Sequence, residues 1–141
     1  MVEKFLVASE GTTRRGVEVA VSTALKIAEM HGCNLTILVP ALNNARNTSL
    51  TDVLPKAMVK ELAIGRAIKY KSISITMKSP RNFEPVLEKG VILAVFATLT
   101  AVKKVEKAAS CVTIVVHPWQ REQLSKWENK ERPVIIELES Q

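Results

Sequence analysis

Ten residues in three short segments are of the types from which this chain could build a binding site. They are hydroxyl residues, one acid, one glycine, two arginines and one histidine: Ser9, Glu10, Gly11, Thr12, Thr13, Arg14, Arg15, Thr98, Thr100 and His117. The first seven separate an apolar segment from an amphipathic one, where free helical amides and guanidinium groups can hold a phosphate or a carboxylate. We therefore expect an anionic small molecule, such as a nucleotide or a phosphorylated metabolite, to bind there.

Arg14 and Arg15 strengthen this expectation because both fall in the first turn of a predicted helix. A cation at that position opposes the helix dipole by about 0.3 to 1 kcal/mol. A bound anion would remove the conflict. The alternative is a pair of solvated surface arginines, which are common in proteins.

Catalytic chemistry has weaker support. Ser9, Glu10 and His117 are the residue types of a hydrolytic triad, but the G-x-S-x-G elbow that would expose the serine does not occur. Neither G-x-G-x-x-G nor G-x-x-x-x-G-K-[ST] occurs, which disfavours dinucleotide and Walker-type nucleotide binding. We assign no catalytic residue, no metal ligand and no cofactor, and the sequence favours a protein that is not an enzyme.

The elements around these residues have the pattern of a β-α-β unit. An apolar strand over residues 5–8 precedes a helix with one apolar stripe, which Gly32 ends, and a second strand covers residues 35–39. In the apolar stripe are Val17, Ala20, Val21, Ala24, Leu25 and Ala28. Such a unit places the end of its first strand against the start of its helix.

Further along the chain, strand and helix patterns continue to alternate. A second helix is expected with Asp52 as its cap, Pro55 in its first turn and Gly65 at its end. Residues 72–77 alternate polar and apolar, which indicates an edge strand with Ile73, Ile75 and Met77 buried and Ser72, Ser74 and Thr76 more exposed. Residues 91–97 and 112–116 are continuous apolar runs, typical of central parallel strands.

These patterns predict a three-layer Rossmann-like α/β fold, a single domain over residues 1–141. We expect a mostly parallel five-stranded sheet in the order 3-2-1-4-5. Strands one and four would then be neighbours with a crevice between their carboxyl ends. His117 would enter it from strand five, and hydroxyls of Thr12 or Thr13 and of Thr98 or Thr100 would cap the two helices that start there.

Residues 118–141 predict a C-terminal helix followed by an extra edge strand over 134–138, opened by Pro133. Trp127 lies three residues after Leu124, which predicts an apolar helical face, and Trp119 precedes it. Core packing is one interpretation of this face, with the strand extending the chain's own sheet beyond strand five. The other interpretation is a homodimer through this helix and strand, because an apolar edge needs cover.

Charge suggests a second class of function. The net charge is +6, and residues 56–107 hold eleven basic residues against four acidic ones. Lys56, Lys60, Arg66, Lys69, Lys71 and Lys78 concentrate around one helix and the strand after it. This basic face is either an ordinary solvated surface or a site for nucleic acid or an acidic partner. The alternative function is therefore a non-catalytic interaction protein that uses its basic face and its Trp-bearing tail.

The same composition bears on location. No apolar run is long enough to cross a bilayer and no signal-peptide pattern opens the chain, so we expect a cytoplasmic protein without a membrane partner. Cys33 and Cys111 each precede a predicted strand, where we expect buried free thiols.

Two stretches resemble the universal stress protein superfamily and, more distantly, the adenine-nucleotide hydrolase-like folds. Residues 5–12, FLVASEGT, are similar to its first strand and the acidic-Gly-Ser/Thr turn, with Glu10 where the family usually has aspartate. Residues 105–116, VEKAASCVTIVV, are similar to its last helix and strand. The resemblance implies that Glu10 and Gly11 occupy the nucleotide-contacting turn. In ATP-binding members a G-x2-G-x9-G-[ST] segment follows strand four, and it has no counterpart here because no glycine occurs after Gly90.

Overall fold

The computed structural model describes residues 2–42 and 48–138, and this part of the chain forms an α/β fold. Its elements, in chain order, are β1 (Glu3–Val7), α1 (Arg14–His31), β2 (Leu35–Leu38), α2 (Leu50–Val53), α3 (Lys56–Ala63), β3 (Ile68–Tyr70), β4 (Ile73–Lys78), β5 (Val91–Ala97), α4 (Leu99–Val105), β6 (Thr113–Pro118), α5 (Ser125–Glu131) and β7 (Val134–Ile136). Two short 3-10 turns, Pro85–Leu87 and Arg121–Leu124, precede β5 and α5.

The strands form one seven-stranded sheet in the order β3-β4-β2-β5-β6-β1-β7, parallel except for the β3–β4 pair. The expected order was wrong, because β1 does not separate β2 from β5. Instead β2 pairs with β5, and β1 lies between β6 and β7. Every residue of β5 is buried, whereas β1 begins with the exposed Glu3 and the half-buried Lys4, so β5 takes the centre. The 18-residue α1 is about 27 Å long, enough to cross the two strands between β1 and β2.

Helices cover both faces of this sheet, each over its own apolar cluster. The first three helices lie on one face, where residues such as Val17, Leu50 and Val59 pack on Leu93 and Val115. On the other face α4 and α5 pack over a second cluster, which includes Leu6, Ile92, Val102, Leu124 and Trp127. The chain therefore forms the expected three layers. The connections through α1, α2 and α3 move along the sheet toward the β3 edge, and those through α4 and α5 move toward the β7 edge.

The alternating pattern of β4 is confirmed. Ile73, Ile75 and Met77 are buried, and the polar residues between them are half-buried. This strand is not the edge, however, because β3 pairs antiparallel with it through a hairpin at Lys71, which has a φ of 54°. β3 was not predicted, because three residues are too few to establish a strand period.

The expected second helix is divided in two. Leu54 adopts an extended conformation between α2 and α3, since the residue before a proline is disfavoured in the helical region. Pro55 is consequently the N-cap of α3, and Asp52 lies inside α2 without capping it. By contrast, the expected end of α1 is confirmed: Gly32 has a φ of 61° and its amide returns to the last helical turn.

The C-terminal segment completes the sheet of its own chain. β7 pairs in parallel with β1, so the predicted additional edge strand is present. Its expected place beyond the fifth predicted strand, which is β6, was wrong, because β1 lies between β6 and β7. Leu124 and Trp127 are buried in the second cluster, which agrees with core packing of this helix. Cys111 is a buried free thiol as expected, whereas Cys33 is half-buried. None of the described helices has the length and apolar character needed to cross a bilayer.

Candidate functional site

The candidate site lies where β1 and β6 end side by side. The connection after β1 runs to α1 on one face, and the connection after β6 runs to α5 on the other. The carboxyl ends of two such adjacent strands are where open α/β sheets bind ligands, and this position is called here the crevice. The crevice is therefore next to β6, not next to β5 as the expected order required. The amide of Gly11 donates to the carbonyl of Pro118 (3.0 Å), and that of Arg121 donates to Glu10 Oε1 (3.1 Å). These two bonds tie the loops together.

His117 is the unusual residue of this crevice. Its side chain has no exposed surface, and neither ring nitrogen has a hydrogen-bond partner in residues 2–42 and 48–138. Burial lowers the pKa of the imidazole from 6.5 to about 4, so the ring is neutral at pH 7. A buried polar group without a partner costs about 1 to 3 kcal/mol, so this arrangement requires an explanation.

His117 faces the first turn of α1. A Cβ placed on Gly16, the third residue of that helix, would stand 2.9 Å from His117 Nε2 and 2.2 Å from Ser9 Oγ. Ser9 Oγ and His117 Nε2 therefore lie within about 5 Å of each other, directly beneath the start of α1. Only glycine allows this approach, because any side chain at position 16 would overlap Ser9.

The start of α1 is uncapped. Thr13 is the N-cap residue, but its Oγ1 donates to the Glu10 carbonyl (3.0 Å) and accepts no helical amide. Arg15 forms an ion pair with Glu18 (2.5 Å), whereas Arg14 is exposed and has no ion-pair partner in the described ranges. Free amides, an unpaired guanidinium and the unpartnered His117 thus occupy one end of one helix, the arrangement that binds oxyanions.

Thr12 takes part through its backbone. Its side chain is exposed, and its carbonyl accepts a hydrogen bond from the buried Ser49 Oγ (2.6 Å). This bond fixes the loop before α1 against the start of α2.

A strained residue supports the floor of the crevice. Phe96 has a φ of 55° inside β5, where the strand shifts register between Ala94 and Ala97. The bulge moves the Phe96 ring to the face covered by α1. There it lies edge-on to the rings of His117 and Trp119, with centroid distances of 5.8 Å and 6.4 Å. A left-handed phenylalanine costs about 1 to 3 kcal/mol, and such strain concentrates at functional sites. The sequence carries no signal for it, since phenylalanine is an ordinary strand residue.

Trp119 is the aromatic group that remains accessible at this edge, with 45% of its surface exposed. Its amide donates to the Ala97 carbonyl (2.9 Å), which anchors the backbone to the end of β5. The ring therefore offers a flat apolar surface beside the loops of β1 and β6.

The two predicted threonines after β5 take different positions. Thr98 caps α4 as expected, its Oγ1 accepting the amide of Ala101 (3.4 Å). Thr100 lines a separate cavity with Pro85 and the lysines of α4. Because α4 covers the other face of the sheet from α1, Thr100 does not join His117 and Ser9.

The triad residues do not assemble into a triad. The carboxylate of Glu10 accepts the Arg121 amide, and His117 Nδ1 receives no partner from it. Within the described ranges, no three His, Cys, Asp or Glu side chains are grouped so that they could hold a metal ion. No known family model matches the sequence, and no curated protein is significantly similar to it. The function must therefore be inferred from the crevice itself.

Proposed function

We propose that this protein binds an anionic small molecule at the crevice between the carboxyl ends of β1 and β6. The observation that carries the proposal is the uncapped start of α1, with the buried and unpartnered His117 beneath it. An anion there would accept hydrogen bonds from helical amides and from one nitrogen of the neutral imidazole. It would also meet the positive end of the helix dipole.

Arg14 supplies the cationic contact. Its neighbour Arg15 is already engaged by Glu18, so only Arg14 is free in the first turn to form a bidentate bond. No acidic residue occupies this turn to balance the dipole, and an anionic ligand would take that role.

The accessible Trp119 favours a ligand with a flat ring in addition to its anionic group, as in a nucleoside monophosphate. The resemblance to universal stress proteins extends the proposal to Glu10 and Gly11 as ligand-contacting positions. The Gly11 amide is already bonded to Pro118, so the contribution proposed for this turn comes from the Glu10 carboxylate. That carboxylate is suited to accept hydroxyl groups rather than to approach a phosphate.

The test is calorimetric titration with adenosine monophosphate and with inorganic phosphate. Arg14→Ala should weaken nucleotide binding by about 1.5 to 3 kcal/mol, the value of a charged hydrogen bond, which is about 10- to 150-fold in Kd. Lys26→Ala is the matched control, because Lys26 is an exposed cation about 18 Å further along α1 and should change affinity little. Equal affinity in the wild type and in Arg14→Ala would refute the role of Arg14, and absence of binding by both probes would refute the proposal.

A second candidate function, binding of a partner protein, is favoured by unpaired lysines on α4 and α5. The basic face named from the sequence is less suitable, because three of its six cations already pair with carboxylates. The pairs are Arg66 with Glu61, Lys71 with Glu29, and Lys78 with the buried Glu88. The pKa of Lys71 is raised by its hydrogen bond to Glu29, as expected for a paired cation.

A further inference from the structure

A second concave surface lies between α4 and α5, on the opposite face of the sheet from α1. It is a cavity of 550 Å³, called here the lysine groove, and its walls combine four lysines, two glutamates and two apolar side chains. The lining residues are Leu99, Lys103, Glu106, Lys107, Lys126, Trp127, Lys130 and Glu131. The size is that of a site for a few side chains.

The lysines of the groove are unneutralised. Lys103 and Lys107 are four residues apart along α4 and its end, and Lys126 and Lys130 are four apart in α5. All four are exposed, and none forms an ion pair with another described residue. Like charges at this spacing oppose one another on a helix, so the arrangement costs stability that an acidic partner would restore.

The two glutamates do not neutralise the four lysines, because both carboxylates already form ion pairs with Lys4 beneath the groove. Lys4, which rises from β1, bonds to Glu106 Oε2 (2.8 Å) and to Glu131. Burial alone would lower the pKa of Lys4, but hydrogen bonds to the two carboxylates outweigh it and raise the pKa, while the same contact lowers the pKa of Glu131. Lys4 compensates part of their charge, and the four lysines at the rim carry the excess.

The floor of the groove is apolar and rigid. Trp127 is 7% exposed, and its Nε1 donates to Glu106 Oε1 (2.6 Å), which holds the indole in place. Leu99 is half-buried beside it. The accessible part of this floor suits one aliphatic side chain of a ligand that carries carboxylates on either side of it. A nucleic acid is less well suited, because Trp127 is the one aromatic residue that lines the groove and its indole is too buried to stack on a base.

The basic surface continues past the groove. Lys103 and Lys107 also line a second cavity of 460 Å³ with Pro85, Thr100 and Lys104 on the other side of α4. A peptide that crosses this helix would remain in contact with Lys103 and Lys107. We propose that the lysine groove binds an acidic peptide segment of a partner protein, with a leucine-like side chain against Leu99 and the accessible edge of Trp127, and its carboxylates on the four lysines.

Fluorescence anisotropy with labelled Glu-Glu-Leu-Asp-Glu tests this proposal. The peptide should bind with an affinity that falls as salt is added, because exposed charge pairs are screened. Peptides with the acids changed to amides, or with the leucine changed to glycine, should each bind at least about tenfold more weakly. Tighter binding of a uridine oligonucleotide of equal length would overturn the choice of a peptide.

Charge reversal gives the matched comparison within the protein. Lys103→Glu with Lys126→Glu should lower peptide affinity at least about tenfold. Lys56→Glu with Lys60→Glu makes the same change in net charge at two exposed lysines of α3, on the other face, and should change peptide affinity less than about twofold. Equal losses in the two variants, or no peptide binding by the wild type, would overturn the proposal. Circular dichroism confirms folding, and charge-neutralised Lys103→Gln with Lys126→Gln replaces any variant that fails to fold.

Discussion

Replacement of His117 by leucine should remove a large part of the acid sensitivity of this protein. The pKa of the folded imidazole is about 4 and that of the unfolded one is near 6.5. The contribution of His117 to the free energy of unfolding is therefore fully present above pH 6.5 and is lost as the pH falls toward 4. Between pH 7 and pH 4.5 the loss amounts to about 2.5 kcal/mol for this one group.

The assay is urea denaturation of the wild type and of His117→Leu at both pH values. The wild type should lose about 2.5 kcal/mol more than the variant between pH 7 and pH 4.5. All other titratable groups are common to both proteins and cancel in the difference. Thr113→Val is the control, because Thr113 is a buried residue of β6 without a titratable group, and its replacement should leave the pH dependence unchanged. Identical pH dependence in the wild type and in His117→Leu would refute the burial argument.

Three further predictions concern packing and assembly. Gly16→Ala should destabilise the protein by about 1 to 2 kcal/mol in chemical denaturation, because overlap with Ser9 outweighs the helix propensity of alanine. Ser9→Gly in the same chain should restore part of that loss, Ser22→Ala should be nearly neutral, and a stabilised Gly16→Ala would contradict the close packing. Truncation before Pro133 should lower the thermal midpoint of the monomer, because β7 pairs with β1, and an unchanged midpoint would contradict that pairing. The homodimer expected through the C-terminal segment would use the outer edge of β7, where Val134 is 58% exposed, and a monomer by light scattering at micromolar concentration would exclude it.

The sequence predicted the elements with strong local signals. The stripe of α1, the continuous apolar runs of β5 and β6 and the alternation of β4 all appear in the structure, because burial of one face or two leaves a direct pattern. Pro55 was visible too, but it was placed inside a helix that it in fact divides.

Strand order was not predictable in the same way. Which apolar strand pairs with which depends on non-local packing, and β1 and β5 both have sequences suited to a parallel sheet. The loops after β1 and β6 still meet, because both follow carboxyl ends of parallel strands at one edge. The close approach of Gly16 and the left-handed Phe96 depend on where α1 crosses the sheet, which no local pattern encodes.

The most direct test of anion binding at the crevice is a nuclear magnetic resonance titration of the labelled protein with inorganic phosphate. The amide signals of Arg14, Arg15 and Gly16 should shift and saturate together, and the ring signals of His117 should report a pKa above 4, because a nearby anion favours the imidazolium. Shifts confined to the lysines of α4 and α5, or shifts at the start of α1 that never saturate, would contradict a ligand site between β1 and β6.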